Sequence, residues 1–157
     1  MRKSVFAETE TGKMLGGEFR KNGIRLIPTE EEEQAVVISW CALQEGKWPE
    51  LALIYHVPNE GKRSKAAGAA EKRMGLKSGV SDLCLPVPRG GYHGLYLEMK
   101  ALDGRVTKNQ RDFLAAVAKQ GYFSCVCFGA AAAIQVIGCY LRGIERNPAE
   151  FEGVEFF

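Results

Sequence analysis

The sequence predicts an α/β domain with a central mixed sheet flanked by helices. Apolar runs of strand length alternate along the chain with amphipathic stretches of helix length, and this order is typical of a layered α/β domain. Two of the apolar runs are neighbours separated only by prolines and glycines, which indicates an antiparallel pair of strands. With 157 residues, of which 46% are hydrophobic, the chain can bury one core.

The first predicted helix covers residues 30–44. Thr29 and Glu32 form a capping-box pattern at its start, directly before an apolar run. The apolar stripe of this helix is predicted to consist of Val36, Val37, Trp40 and Leu43. Glu33 lies three residues before Val36 and four before Val37, so helical spacing predicts a carboxylate at the edge of the core-facing side.

The later elements follow from the same periodicity and from the turn residues between them. In chain order we expect a strand at residues 51–57, a helix at 62–74 that Gly75 ends, strands within 79–88 and 92–100, a helix at 107–120, a strand at 122–128 and a helix at 130–141.

The two ends of the chain differ in composition from the main domain, which we assign to residues 29–142. Residues 1–28 are rich in glycine and charge, with one short apolar patch at 24–27, and predict a flexible extended arm or a short strand before the main domain. Residues 143–157 form an acidic C-terminal tail.

Net charge does not decide between classes of partner, because 21 basic and 19 acidic residues leave only +2. The distribution of charge is uneven. Residues 60–77 contain six basic and two acidic residues, whereas residues 145–157 contain one basic and four acidic ones. The middle of the chain is therefore the better candidate for contact with a polyanion.

The five cysteines, an odd number, lie inside apolar runs and not at the loop-rich spacings of a disulfide framework. Cys125 and Cys127 share one side of a predicted strand, but no second Cys or His pair accompanies them at zinc-site spacing. The first residues lack the apolar stretch of a signal peptide, and no window approaches a membrane span of roughly 20 apolar residues. We therefore expect a cytoplasmic protein without membrane contact.

Three residues can carry hydrolytic chemistry. Asp82 lies near the start of one predicted strand, and Glu98 and Lys100 lie near the end of the next, so an antiparallel pairing would bring them together. Two neighbouring carboxylates repel each other unless a cation lies between them. Magnesium meets that need with one or two carboxylates plus waters and phosphate oxygens, and a lysine can orient or deprotonate the attacking water or neutralise charge on phosphorus. By itself, however, a Glu-x-Lys triplet is common and usually forms a solvated strand face.

Several motifs in order make the hydrolytic interpretation specific. They are TEEEEQAVVISW at the first helix, PELALIYHVPNEGKR, GLKSGVSDLCLPVPRGGYHGLYLEMK, and GRVTKNQRDFLAAVAKQGY followed by a final strand and helix. Over residues 29–142 this pattern resembles the VRR-NUC family, a branch of the PD-(D/E)XK nucleases. It looks most like the small standalone members of phages and bacteria, which are similar to Holliday-junction resolvases. The resemblance implies a restriction-endonuclease-like core.

The resemblance also implies roles for individual residues. Asp82 and Glu98 would bind the metal, Mg²⁺ or Mn²⁺, and Lys100 would be the catalytic lysine. A glutamate of the first helix would complete the metal's surroundings: Glu30 has the family's spacing ahead of a glutamine, whereas the helical face favours Glu33, and both stay open.

Other positions match the family less uniformly. Gln110 matches a family glutamine near the active site, and the family often has Pro at Ser81 and Gly at Glu60. Given the nuclease interpretation, the expected contacts with DNA phosphates are Lys62, Arg63, Lys65 and Lys77.

The implied function is a structure-selective DNA endonuclease that cuts branched DNA as a homodimer with two active sites, in the manner of a junction resolvase. Cleavage of flaps, nicked duplexes or single strands is the alternative, because the surface and not the site residues reads substrate shape. A DNA-binding module without chemistry would be expected to lack one of Asp82, Glu98 and Lys100, and all three are present. His56 ends a predicted strand, where a structural histidine is favoured over a catalytic one.

Overall fold

The computed structural model describes residues 20–21, 24–25, 27–58, 72–147 and 150–157. Short strands β1 (Arg20–Lys21) and β2 (Ile24–Arg25) form a separate antiparallel pair. The main sheet has the spatial order β3, β4, β5, β6, β7. Its strands are β3 (Tyr55–His56), β4 (Leu83–Leu85), β5 (Leu95–Lys100), β6 (Phe123–Phe128) and β7 (Val154–Phe156).

The main sheet is mixed, as predicted. β4 pairs antiparallel with both β3 and β5, β5 pairs parallel with β6, and β7 pairs antiparallel with β6. The antiparallel pairing of β4 with β5 confirms the arrangement expected from the prolines and glycines between them. Parallel neighbours need a crossover connection, and the helix between β5 and β6 supplies it.

Three helices of the described residues surround the sheet: α1 (Glu30–Gln44), α2 (Lys108–Ala118) and α3 (Ala130–Leu141). Their positions confirm the prediction. The capping box of Thr29 and Glu32 is formed at the start of α1, and Thr107 and Gln110 form a second one at the start of α2.

The two faces of the sheet have different partners. Alternate residues of β5, such as Leu97 and Met99, join a core that also contains Val37 of α1 and Val136 of α3. On the opposite face Tyr96 meets Phe113 of α2 edge to face, with ring centroids 5.5 Å apart. Glu98 and Lys100 share the face of Tyr96, because side chains alternate along a strand.

The predicted apolar stripe of α1 was partly wrong. Its buried residues are Glu33, Val37 and Cys41, whereas Val36 and Leu43 are exposed. Residues four apart lie on one side of a helix, so a buried side that begins at Glu33 continues through Val37 to Cys41. The prediction that Glu33 faces the core was correct.

The predicted strand at residues 51–57 was also wrong over most of its length. Pro49–Leu53 is a 3-10 helix, and only Tyr55–His56 is strand. Proline fits the first turn of a helix, where its missing N–H is not needed, and only Leu51 of the run is buried. A short apolar run does not by itself distinguish strand from helix.

Two further regions complete the comparison. The predicted helix at 62–74 lies outside the described residues except at its last three positions, where residues 72–73 are helical and Gly75 follows with a φ of 100°. β7, inside the acidic C-terminal tail, was not predicted. No helix in the described ranges is long and apolar enough to cross a membrane.

Candidate active site

Asp82, Glu98 and Lys100 lie together at one end of the sheet. The register pairs Leu83 with Leu97, so Asp82, one residue earlier, lies opposite Glu98. The Oδ2 atom of Asp82 accepts a hydrogen bond of 2.8 Å from the backbone N–H of Met99. This bond ties the Asp82 carboxylate to the strand that carries the other two residues.

Lys100 is a buried lysine with three hydrogen-bond acceptors. Its Nζ donates to Glu98 Oε1 at 2.8 Å, to the carbonyl oxygen of Met99 at 2.9 Å and to Glu30 Oε2 at 3.1 Å. Burial alone lowers the pKa of a lysine, but here the bonds and charges of Glu98 and Glu30 outweigh burial and raise the pKa of Lys100. Lys100 is therefore an ammonium group held in a fixed direction.

Glu98 is a buried carboxylate whose two oxygens differ. Oε1 accepts hydrogen bonds from Lys100 and from the Nε2 of Gln110, whereas Oε2 is buried without a hydrogen-bond partner. Burial, reinforced by the charge of Asp82, raises the pKa of Glu98 to about 7 even though Lys100 acts to lower it. A buried oxygen without a partner costs free energy, so Glu98 Oε2 is a position that a ligand would stabilise.

Gln110 connects the start of α2 to Glu98. Its Oε1 accepts a hydrogen bond of 2.8 Å from the backbone N–H of Thr107 in the capping box, and its Nε2 donates to Glu98. Both ends of the carboxamide are used, so the helix start fixes the direction of the donor. The structure thus places Gln110 beside the two acidic residues and the lysine, where the family pattern put it.

The structure separates the two candidate glutamates of α1. Glu30 is 46% exposed and contacts Lys100 Nζ. Glu33 is buried, and its Oε2 instead accepts a hydrogen bond of 2.7 Å from the backbone N–H of Ala130, the first residue of α3. A carboxylate at a helix start accepts a hydrogen bond from an N–H that has no partner within the helix. Its negative charge also interacts favourably with the positive end of the helix dipole.

The donor set around Glu98 fits a divalent cation of the magnesium type. No three His, Cys, Asp or Glu side chains among the described residues converge as a complete metal site. Mg²⁺, however, needs only one or two protein carboxylates and keeps several waters. Asp82 and Glu98 supply two carboxylates, and the unpartnered Oε2 of Glu98 is the atom that a cation would satisfy.

A cleft of about 520 Å³ opens beside this group, between the start of α1 and the loop after β5. It is lined by Thr29, Glu30, Glu31, Ala101, Asp103 and Gly104. A Cβ atom on Gly104 would lie 3.2 Å from Glu30 Oε1 and 2.9 Å from the Ala101 carbonyl oxygen, so glycine lets the loop approach α1. The cleft exposes the Glu30 side chain to solvent.

The predicted DNA-contact residues are only partly described. Lys77 is exposed in the segment before Gly79, whereas Lys62, Arg63 and Lys65 lie outside the described residues. Gly79 has a φ of 81° and packs directly on α2, where a Cβ would lie 2.5 Å from backbone atoms of Asn109. This contact fixes the segment that leads from Lys77 to Asp82.

Two side chains near the site were not assigned from the sequence. Gln34 contacts His56, with its Nε2 2.9 Å from Nδ1, and the four-residue spacing from Glu30 was the signal that could have found it. Ser81 is buried, and its hydroxyl has no partner in the part of the chain that the structure describes.

Comparison with known families assigns the chain. A family model described as the VRR-NUC domain matches residues 28–131. The chain belongs to the VRR-NUC domain family. A solved structure named as a VRR_NUC domain protein is 34% identical to this chain, with a TM-score of 0.65, and the match covers 78% of this chain and 95% of the other. No curated protein matches.

Membership confirms the resemblance seen in the motifs and the predicted PD-(D/E)XK-like fold. A VRR-NUC domain is a nuclease domain, which implies that it binds DNA, and domains of this type generally use divalent metals. The geometry around Glu98 is therefore the candidate active site of a nuclease.

Proposed function

We propose that this VRR-NUC protein is an endodeoxyribonuclease that hydrolyses phosphodiester bonds in branched DNA with Mg²⁺ or Mn²⁺. One observation carries the proposal: a buried Glu98 carboxylate with an unpartnered oxygen lies against Asp82 and a buried Lys100. Such a group has no evident structural benefit, because a buried charge without full pairing destabilises the fold.

Asp82 and Glu98 are the residues that would hold the cation. When bound, the cation polarises the scissile phosphate and lowers the pKa of a coordinated water. Metal binding requires the ionised form of Glu98. The raised pKa of Glu98 therefore makes proton release part of metal binding near neutral pH.

Lys100 acts as a hydrogen-bond donor in this scheme. Its raised pKa keeps the ammonium charged at neutral pH, which favours orientation of the water and neutralisation of charge on phosphorus over removal of a proton. Glu30 and Glu98 hold the Nζ atom from two sides. Gln110 donates to Glu98 Oε1 and so leaves Oε2 as the free donor atom toward the cation.

The substrate we propose is a four-way or similarly branched junction, cut by a C2 homodimer whose two active sites act on two strands. Affinity would come from phosphate contacts, with Lys77 as the described candidate. The five cysteines are buried and free, which supports our expectation of a reducing compartment such as the cytoplasm of a bacterium or an infected host.

The decisive experiment is cleavage of labelled DNA of defined shape. Purified protein is incubated with four-way junction, flap, nicked, single-stranded and linear duplex DNA, each with magnesium, manganese or chelator. Asp82→Asn is the matched inactive variant, since the amide keeps the shape of the carboxylate. Analytical ultracentrifugation of the same samples measures the oligomeric state.

The outcomes separate the parts of the proposal. Paired nicks confined to the junction, dependent on metal and absent in Asp82→Asn, support junction cleavage. Metal-dependent cleavage of flaps or single strands keeps the chemistry and replaces the substrate. Binding of DNA without cleavage of any substrate would refute the enzymatic proposal and leave a DNA-binding module.

A further inference from the structure

His56 lies at the exposed end of β3, where it meets the main chain of Asp82. Its Nδ1 atom is 3.1 Å from the Asp82 carbonyl oxygen and 2.9 Å from the Nε2 of Gln34. The same carbonyl accepts a hydrogen bond of 2.8 Å from the backbone N–H of Val57. Asp82 is thus held at its carbonyl from β3 and at its carboxylate by Met99 of β5.

As placed, the contacts with Asp82 and with Gln34 make opposite demands on the Nδ1 atom of His56. A carbonyl oxygen can only accept, so the contact with Asp82 requires a proton on Nδ1. An unprotonated Nδ1 would place two lone pairs against each other. The two ends of a carboxamide have nearly the same shape, so a half-turn of the Gln34 side chain lets its Oε1 accept the same N–H. The neutral ring then has its lone pair on Nε2.

We propose that His56, oriented by Gln34, is a positioning residue that fixes Asp82 for metal binding, an inference that rests on the proposed function. The imidazole acts through Nδ1–H on the main chain of Asp82. Groups that orient metal ligands in this way typically change metal affinity or activity about 10–100-fold when they are removed.

The position of Gln34 supports this role. It lies four residues after Glu30, so both side chains leave the same side of α1, and Glu30 contacts Lys100 while Gln34 contacts His56. The first turns of α1 therefore hold the lysine on one side of the site and the aspartate segment on the other. A solvated surface histidine would not need a partner from a different element.

Three substitutions of His56 separate its two nitrogens. Asparagine places an N–H near the position of Nδ1, glutamine places one near Nε2, and alanine removes both. We expect the Mn²⁺ affinity, measured by calorimetry without DNA, to fall about 10–100-fold in His56→Gln and His56→Ala and to stay within about threefold of wild type in His56→Asn. The kcat for DNA cleavage should likewise fall in His56→Gln and His56→Ala and be nearly retained in His56→Asn. The affinity for DNA, measured in chelator, should be the same in all three variants.

The controls use residues that the chain already offers. His93→Asn changes the second of the two histidines, which is exposed at the other end of β5, and should leave Mn²⁺ affinity unchanged. Asp82→Asn gives the value for a lost ligand. Thermal unfolding shows whether each variant is folded, and the exposure of His56 predicts that all are.

A second measurement does not depend on activity. Two-bond ¹H–¹⁵N NMR correlations distinguish the two neutral tautomers of histidine, and His93→Asn identifies the signals of His56. We expect the proton on Nδ1 in wild type and a shift toward the other tautomer in Gln34→Ala.

The results that overturn the inference are distinct from those that overturn the function. A proton on Nε2, wild-type Mn²⁺ affinity in His56→Ala, or restoration by glutamine and not by asparagine would each refute the positioning role. If wild type cleaves no DNA but the tautomer and the Mn²⁺ affinities are as stated, the proposed nuclease function fails and the role of His56 stands.

Discussion

Glu30 and Glu33 are one turn apart on the same helix, yet their surroundings give them different roles. Glu30 is half-exposed and meets the ammonium of Lys100, whereas Glu33 is buried and meets the first N–H of α3. The local sequence is almost the same for both, since they belong to one run of four glutamates. The residue that each carboxylate contacts, and not its sequence neighbourhood, decides what it does.

The difference also separates stability from chemistry. Ion pairs with an exposed partner contribute little to stability because water screens them, so the Glu30 carboxylate is not kept for the fold. Glu33 joins α1 to α3 through a buried, charge-assisted hydrogen bond, which is of the stronger kind. The comparison therefore predicts that substitution of Glu30 affects activity and substitution of Glu33 affects stability.

The largest expected effect tests the partner of Glu30. Lys100→Ala should lower the cleavage rate by about 10²–10³-fold, the usual cost of removing a donor that stabilises developing charge, and leave DNA affinity nearly intact, because affinity comes from many basic contacts. If Glu30 acts through Lys100, adding Glu30→Gln to Lys100→Ala should cause no further loss of rate. An additive effect in single-turnover assays would show that Glu30 acts independently of the lysine.

Glu30→Gln alone should lower the cleavage rate by about 10–100-fold, because the neutral amide holds the Lys100 ammonium less strongly. The unfolding temperature should hardly change. Glu31→Gln is the matched control, since it removes the same charge from the same helical turn. Equal loss of rate in both variants would point to general electrostatics and would remove the special role of Glu30.

Glu33→Ala should lower the free energy of unfolding by about 1–3 kcal/mol, because the Ala130 N–H loses its acceptor. Glu33→Gln keeps an acceptor oxygen and should lose only about 0.3–1 kcal/mol, the contribution of the charge at the helix start. Urea unfolding measures both. If Glu33→Ala keeps wild-type stability but loses metal binding, then Glu33, and not Glu30, is the glutamate of α1 that serves the metal site.

The smallest expected effect concerns Glu98, which is buried like Glu33 but contacts Lys100 like Glu30. Its pKa is about 7 in the folded protein against an ordinary value of 4.5, so the native state binds more protons in this interval. The contribution of Glu98 to stability is then fully present below its pKa in the unfolded chain, about 4.5, and is lost as pH rises through its folded-state pKa of about 7.

This pH dependence is measured without metal. In chelator, the unfolding temperature of wild type minus that of Glu98→Gln should fall as pH rises from about 5 to about 8, and the subtraction removes the effect of other groups. Added Mg²⁺ should raise the unfolding temperature of the wild-type protein again at the upper pH. A difference that does not change between these pH values would mean that Glu98 is ionised throughout.

Much of the fold was predictable because its signals are local. The capping boxes of Thr29 and Thr107 marked the starts of α1 and α2, and alternating residues placed Glu98 and Lys100 on one face of β5. Pairing of two neighbouring strands then brought Asp82 to the same end. Each of these inferences depends only on residues that are close in sequence, or on two strands that are joined by a short turn.

The rest depended on contacts between distant residues. Glu30 and Glu33 could not be told apart without α3, and the role proposed for His56 could not be inferred without its contact with Gln34. The 3-10 helix at Pro49–Leu53 replaced a predicted strand because an apolar run of that length fits either structure. β7 is short and carries Glu155 in its middle, so it lacks the pattern of a buried strand.

The hydrogen bond between Glu33 and Ala130 joins positions that are 97 residues apart. A ribosome adds about 5–20 residues per second, so about 5–20 seconds separate the synthesis of α1 from that of its anchor. During that interval α1 lacks the buried hydrogen bond that joins it to α3. The chain thus joins α1 to α3 only late in its translation.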